Sequence, residues 1–260
     1  MNDSYQEYLN FANRLADEAS KTSMQYFRTS LDIDSKIDES PVTIADKNTE
    51  LKIRSMIQQE YPEHGILGEE FDSINATAEY IWVIDPIDGT RSYIAGHKDF
   101  GNLISLTHNK KPIIGIINCP AHKERWVGVK NQNSTLNKQP VKTSKIKNIE
   151  NAYLFTSGLY FDEPNLRRAV DKIQNKVNYF RYGGDCYMYG MVASGLIDVV
   201  IEDTLKTHDY MALVNVIEGA GGKITDKFGK EITTDSQGSV IASANEKLHS
   251  ELISLINKEN

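Results

Sequence analysis

A layered, mixed α/β fold is what the sequence predicts, on three observations. Helical patterns open the chain, strand patterns run unbroken between 101 and 136, and strand and helix then alternate from 152 onward.

The first element is an amphipathic helix over 4–27, where Tyr8, Phe11, Ala12, Leu15, Ala16 and Ala19 recur at helical spacing and Ser4 is a candidate cap. The stretch 32–46 is polar and broken by Pro41, so it reads as a short strand and a loop. A second helix is expected over 46–60, with Leu51, Ile53, Met56 and Ile57 as its apolar positions. Ile66-Leu67 and Tyr80-Ile81-Trp82-Val83-Ile84 are apolar runs followed by acidic residues, which predicts buried strands that deliver carboxylates at their ends. Strands follow at Leu103-Ile104-Ser105-Leu106, Ile113-Ile114-Gly115-Ile116-Ile117 and Arg125-Trp126-Val127-Gly128-Val129, separated by turn residues such as Asn109 and Pro120. The polar stretch 138–150, carrying Lys138, Lys142, Lys145 and Lys147, reads as a domain junction or equally as a solvated loop. Taken as a junction, it divides the chain into regions 1–140 and 141–260. Beyond it the pattern gives strand 152–156, helix 164–174, strand 178–181, helix 184–195, strand 198–202, helix 209–218, strands 223–226 and 239–242, and helix 246–257.

A chain of 260 residues is long enough for a sizeable core. Its 40% hydrophobic and 25% charged residues are ordinary for a soluble globular protein. The net charge of −7 argues against nucleic-acid binding, which needs a basic footprint. Two distant cysteines, Cys119 and Cys186, imply no disulfide framework. With no signal-peptide pattern and no membrane-length apolar run, a cytoplasmic, soluble protein is expected.

Four acidic groups stand at predicted element ends: Asp46, Glu69-Glu70, Asp85/Asp88 and Asp209. Burying carboxylates there is costly unless a cation neutralises them. Oxygen donors without histidine or thiolate suit Mg²⁺, and less specifically Mn²⁺ or Ca²⁺. Pro86 forbids helix at Asp85, so the segment 85–88 is expected to turn and bring both carboxylates and the Ile87 carbonyl towards one point. A helix starting at Gly89-Thr90 would offer free N–H groups to a phosphate. Taken alone, this segment fits plain turn chemistry as well as a site. It does not fit an EF-hand loop, because position 87 is Ile. There is no GxxxxGK[ST], GxGxxG or HExxH pattern. Gly219-Ala220-Gly221-Gly222 reads as a tightly packed helix end.

Four blocks in order resemble the inositol monophosphatase superfamily. They are Lys36 with Ser40-Pro41-Val42-Thr43-Ile44-Ala45-Asp46, then Gly68-Glu69-Glu70, then Trp82 through Thr90, then His208-Asp209 leading into Glu218-Gly219-Ala220-Gly221-Gly222. The resemblance implies an αβαβα sandwich of the inositol monophosphatase / fructose-1,6-bisphosphatase type, a homodimer, and Mg²⁺-dependent hydrolysis of small phosphomonoesters. By position, Glu69, Asp85 and the Ile87 carbonyl would hold one metal, and Asp85, Asp88 and Asp209 a second, with Mn²⁺ able to substitute. Asp46 and Thr90 would act on the nucleophilic water, and the Gly89 and Thr90 amides would seat the phosphate. Glu70, and less directly Lys36, would serve a third metal or its waters. Such clusters clamp both oxygens of an in-line displacement. One departure is His208, where the family often has Trp.

Substrate choice would fall on Arg181 through Tyr189 and on Glu202. The Gly184-Asp185-Cys186-Tyr187 run and Phe71 after Glu70 are similar to the histidinol-phosphate phosphatases of this superfamily, which act in histidine biosynthesis. Asp185 and Glu202 would face a cationic substrate end, although Asp185 could instead cap a helix. Histidinol phosphate is thus favoured over inositol 1-phosphate or a broader range. A non-catalytic metal-binding protein is disfavoured, because every family ligand and Thr90 are present.

Overall fold

The structure, a computed structural model, describes residues 3–30, 33–35, 41–158 and 161–258. Lys36, Ser40 and the side chain of Ser4 lie outside the described residues. Helix α1 (Asp3–Tyr26) buries Phe11, Ala12, Leu15, Ala16 and Ala19, as their spacing requires. Strands β1 (Ile33–Ser35) and β2 (Pro41–Thr43) pair antiparallel and lead into α2 (Ile44–Glu60). This helix starts earlier than expected because Thr43 caps it: the Ala45 N–H donates to Thr43 Oγ1, and the Thr43 N–H to Asp46 Oδ2. Its inward face is Asp46, Thr49, Glu50, Ile53, Arg54 and Ile57. Leu51, expected inside, is 50% exposed. At about 100° per residue it falls off the stripe that the other positions share.

The first sheet comprises β3 (Gly65–Gly68), β4 (Tyr80–Asp88), then, after helix α3 (Thr90–Ile94), β5 (Gly101–His108), β6 (Lys111–Cys119), β7 (Glu124–Val129), β8 (Thr135–Leu136) and β9 (Gln139–Pro140). The strands lie in sequence order, with β3 and β4 parallel and the rest antiparallel. The turn expected at 85–88 is instead a bulge, for β4 continues to Asp88 and its register on β5 shifts between Asp85 and Asp88. Pro86 has no N–H for the ladder. Its carbonyl accepts from Asn102 Nδ2 at 2.7 Å.

Downstream come β10 (Tyr153–Thr156), α4 (Pro164–Ile173), β11 (Tyr179–Tyr182), α5 (Tyr187–Ala193), β12 (Val199–Glu202), α6 (Thr207–Gly219), β13 (Lys223–Thr225), β14 (Val240–Ser243) and α7 (Glu246–Asn257). The second sheet has the order β11-β10-β12-β14-β13, with β10 parallel and β14 antiparallel to its neighbours. Helix α5 starts later than the expected residue 184, because Gly183, Gly184 and Asp185 have φ of 95°, 125° and 41°. That left-handed run suits glycine and excludes helix.

Helices α1 and α2 cover one face of the first sheet, Phe11, Leu15, Ile53 and Ile57 meeting Trp82, Ile104 and Ile114. On its other face Val83, Leu103 and Ile117 meet Met188 of α5 and Met211 and Val214 of α6. The same cluster takes in Val200, Val240 and Ala242 of the second sheet. Leu166, Ile173, Leu248 and Leu252 of α4 and α7 close the far side. The layers are therefore αβαβα. The first sheet ends at Pro140 and the second begins at Tyr153, yet the central cluster draws on both. Helix α6 sits on β6 and β7 at backbone contact: a Cβ on Gly115 or Gly128 would lie 2.1 Å from Ala212 O or 2.2 Å from the Asn215 carbonyl carbon. That contact fixes the helix whose first turn carries Asp209. Among the described residues, no helix is long and apolar enough to cross a membrane.

Candidate active site

Three carboxylates from two distant parts of the chain converge. Asp85 lies in the bulge of β4, and its Oδ1 accepts the Ile87 N–H at 3.0 Å. Asp88 ends β4, and its Oδ2 accepts the Cys186 N–H at 2.6 Å. Asp209 lies in the first turn of α6, and its Oδ2 accepts the Lys206 N–H at 2.6 Å. One ligand oxygen from each lies within 4.8 Å of the others. Burial, then the charges of Glu69, Asp88 and Asp209, lift the Asp85 carboxyl well above its usual range. Burial and Asp185 do the same to Asp88. Asp209 is raised by burial, with His208 and the Lys206 N–H opposing. His208 is itself 8% exposed and packs at the helix start, with Nε2 3.4 Å from Asp209 Oδ1. A cluster of like charges, Asp85 buried and Asp88 and Asp209 half-buried, with oxygen donors alone fits a hard divalent cation.

Glu69 is not one of that trio, but its charge acts on Asp46, Asp85 and Asp209. The turn that carries it is held from α2. Glu50, wholly buried, accepts the Glu70 N–H at 2.8 Å and pairs with Arg54 at 2.7 Å. Arg54 in turn donates to the carbonyls of Phe71 (2.7 Å) and Asp72 (2.9 Å). The sequence reading missed this pair. Its signal was a Glu and an Arg four residues apart on the stripe of Ile53 and Ile57.

Asp46 and Thr90 meet from opposite sides. Asp46 Oδ2 accepts the N–H (2.8 Å) and the hydroxyl (2.6 Å) of Thr43. This leaves Oδ1 facing Thr90 Oγ1 at 3.4 Å, while the same hydroxyl stands 3.1 Å from the Ile87 carbonyl. Burial raises the Asp46 carboxyl although both Thr43 bonds lower it. The spacing Thr43-x-x-Asp46 is a capping-box signature that could have been read in the sequence. Gly89 precedes α3 with φ of 81°, a left-handed conformation that frees the chain to leave the strand.

Beside the trio lies a cavity of about 140 Å³ lined by Asp88, Ser157, Asp185, Cys186, Tyr189, Glu202, Leu205 and Asp209. The Asp185 side chain does not cap α5; it accepts the Ser92 hydroxyl at 2.6 Å. Glu202, at the end of β12, accepts hydroxyls from Ser157 and from Tyr189, the latter at 2.6 Å. Burial pushes the Glu202 carboxyl up to about 7, against the lowering effect of both hydroxyls. Among the described residues, no Lys, Arg or His lines this cavity. Ser92 and Ser157 were not foreseen, and Tyr189 only as the last residue of the substrate-selecting run 181–189, since a hydroxyl carries no spacing signal. A larger groove of about 1170 Å³, between α1 and strands β6–β8, contains none of the predicted site residues.

Residues 4–260 match the model of the inositol monophosphatase family. The bifunctional phosphatase IMPL2, chloroplastic, of Arabidopsis thaliana is 43% identical over 234 residues, which cover 89% of this chain and 68% of that protein. A histidinol-phosphatase of Chlorobaculum parvum is 36% identical, with 95% of this chain and 96% of that one covered. Among solved structures, an inositol monophosphatase from Zymomonas mobilis matches with a TM-score of 0.89 at 40% identity, covering 97% of this chain and 98% of its own.

Proposed function

The chain belongs to the inositol monophosphatase family, and on that premise we propose that this phosphoric monoester hydrolase is a Mg²⁺-dependent histidinol-phosphatase of histidine biosynthesis. The observation that carries the substrate is the cavity beside the trio. Two carboxylates, Asp185 and Glu202, are held there by neutral hydroxyls, and among the described residues no cationic side chain lines the wall. A substrate with an ammonium and a protonatable imidazole supplies the missing charge. A neutral polyol would leave Glu202 without a positive partner and Asp185 with only the charges of His97 and Arg91 acting on it.

In this reading Asp85, Asp88, Asp209, Glu69 and the Ile87 carbonyl would hold two ions, and Glu70 and Lys36 would serve a third ion or its waters. Bound there, Mg²⁺ supplies charge neutralisation for the phosphate and a more acidic water. Thr90 Oγ1 takes the proton of the attacking water as its own passes to Asp46 Oδ1, 3.4 Å away. The Gly89 and Thr90 N–H groups orient the phosphate, and Asp185 and Glu202 anchor the other end. A cytoplasmic homodimer completes the proposal. The resemblance to an inositol monophosphatase structure at 40% identity favours inositol 1-phosphate as the second reading.

The test is kcat/KM on histidinol phosphate and on inositol 1-phosphate, for the parent and for Asp185→Asn. We expect at least about a tenfold preference for histidinol phosphate, largely lost in the variant. Preference for inositol 1-phosphate, or indifference to Asp185→Asn, refutes the substrate.

A further inference from the structure

Glu202 closes the inner end of the cavity, and a buried phenol holds it there. Tyr189 is 1% exposed, its ring packed in the central core and its hydroxyl 2.6 Å from Glu202 Oε2. Ser157 donates to Oε1 from the rim. Tyr189 also stands three residues beyond Cys186, whose N–H grips Asp88, or about 4.5 Å along a helix axis. It stands four beyond Asp185, which is tied to Ser92. One short segment therefore registers the inner carboxylate against both the phosphate end and the rim of the site.

We infer that Tyr189 is a positioning residue that makes the site selective for a cationic substrate: its hydroxyl aims the Glu202 carboxylate into the cavity and keeps it an acceptor. This rests on the histidinol phosphate reading. Two hydroxyls donating to the two oxygens fix one side-chain rotamer and leave the remaining lone pairs for a ligand. They also favour the anion, because a protonated acid must turn a hydrogen towards one of its own donors. The titratable groups that line the cavity with Glu202 are Asp88, Asp185, Cys186, Tyr189 and Asp209, none of them cationic, and the charge of Asp185 favours a proton on Glu202. A protonated Glu202 is a donor suited to a polyol hydroxyl and no longer a partner for an ammonium or imidazolium.

The experiment compares the parent, Tyr189→Phe and Ser157→Ala on histidinol phosphate and on glycerol 2-phosphate, a neutral-tailed ester, across about pH 6–9. Tyr189→Phe keeps the ring and so the core packing. We expect its KM for histidinol phosphate to rise about tenfold at neutral pH, with kcat and the KM for glycerol 2-phosphate within about twofold of the parent. The curve of KM against pH shifts to higher pH, because a donor to the anion has been lost. The imidazole of the substrate is common to all three proteins and cancels in the comparison. Ser157→Ala, at the rim, shows the same selective rise and decides the matter should Tyr189→Phe fail to fold. Unchanged KM and pH curves on histidinol phosphate, or equal losses on both esters, overturn the role of Tyr189 while leaving the substrate intact. A parent that does not prefer histidinol phosphate to glycerol 2-phosphate fails the substrate reading first, and the inference falls with it.

Discussion

Arg54→Met removes the cation paired with the wholly buried Glu50 and leaves the length of the side chain roughly unchanged. The pair is 2.7 Å apart, with side-chain exposures of 6% and 0%. Deleting one member of such a pair strands a charge in the interior, which costs about 3–5 kcal/mol. The lost bonds to the Phe71 and Asp72 carbonyls add little, since water can replace them at the half-exposed turn. For a chain of this size, each kcal/mol moves Tm by roughly 2–4 °C, so a fall on the order of 10 °C is expected. The double variant Glu50→Gln/Arg54→Met carries no stranded charge and is expected to regain more than half of that loss. Because the pair holds the turn bearing Glu69 and Glu70, the Mg²⁺ concentration for half-maximal phosphate release is expected to rise in Arg54→Met. Thermal unfolding and an Mg²⁺ titration read both effects. A Tm within about 2 °C of the parent, or a double variant no better than the single one, refutes the stranded-charge account.

Glu202 gives a stability signature separate from catalysis. Its carboxyl is raised to about 7 in the folded protein from an ordinary 4.5. Its stabilising effect is therefore complete below about 4.5 and lost as pH rises through about 7, a change on the order of 3 kcal/mol. Metal-free Glu202→Gln is expected to lose less Tm than the parent between pH 5 and 7, and parallel melting curves would contradict the assignment. Asp85→Asn and Asp209→Asn are each expected to lose at least about 100-fold of Mg²⁺-dependent phosphate release and most of the Mg²⁺-induced rise in Tm. Full activity in either variant removes that residue from the metal site.

The order and type of nearly every element could be read from the sequence, because periodicity records which residues face water along a single element. Helix α1, strands β5–β7 and the alternation after Tyr153 follow from it directly. Helix α2 misled it: Asp46, Glu50 and Arg54 occupy its buried face, so Leu51 was placed inside although it points to solvent. Pro86 was read as a turn and is a bulge, because the neighbouring strand, which supplies Asn102, holds the chain extended.

The acidic residues and their chemical type were determined by the sequence alone, since several strand and helix ends carry carboxylates and none of these ends offers a thiolate or two histidines at ligand spacing. Their assembly was not. Asp88 and the Cys186 N–H are 98 residues apart, and Ser92 and Asp185 are 93 apart. Only the packing of α6 onto the first sheet, at a contact that admits no Cβ on Gly115 or Gly128, brings Asp209 to Asp85 and Asp88. The same layering places Ser157 and Tyr189 on Glu202, and hydrogen bonds between separate elements leave no periodic trace in a chain.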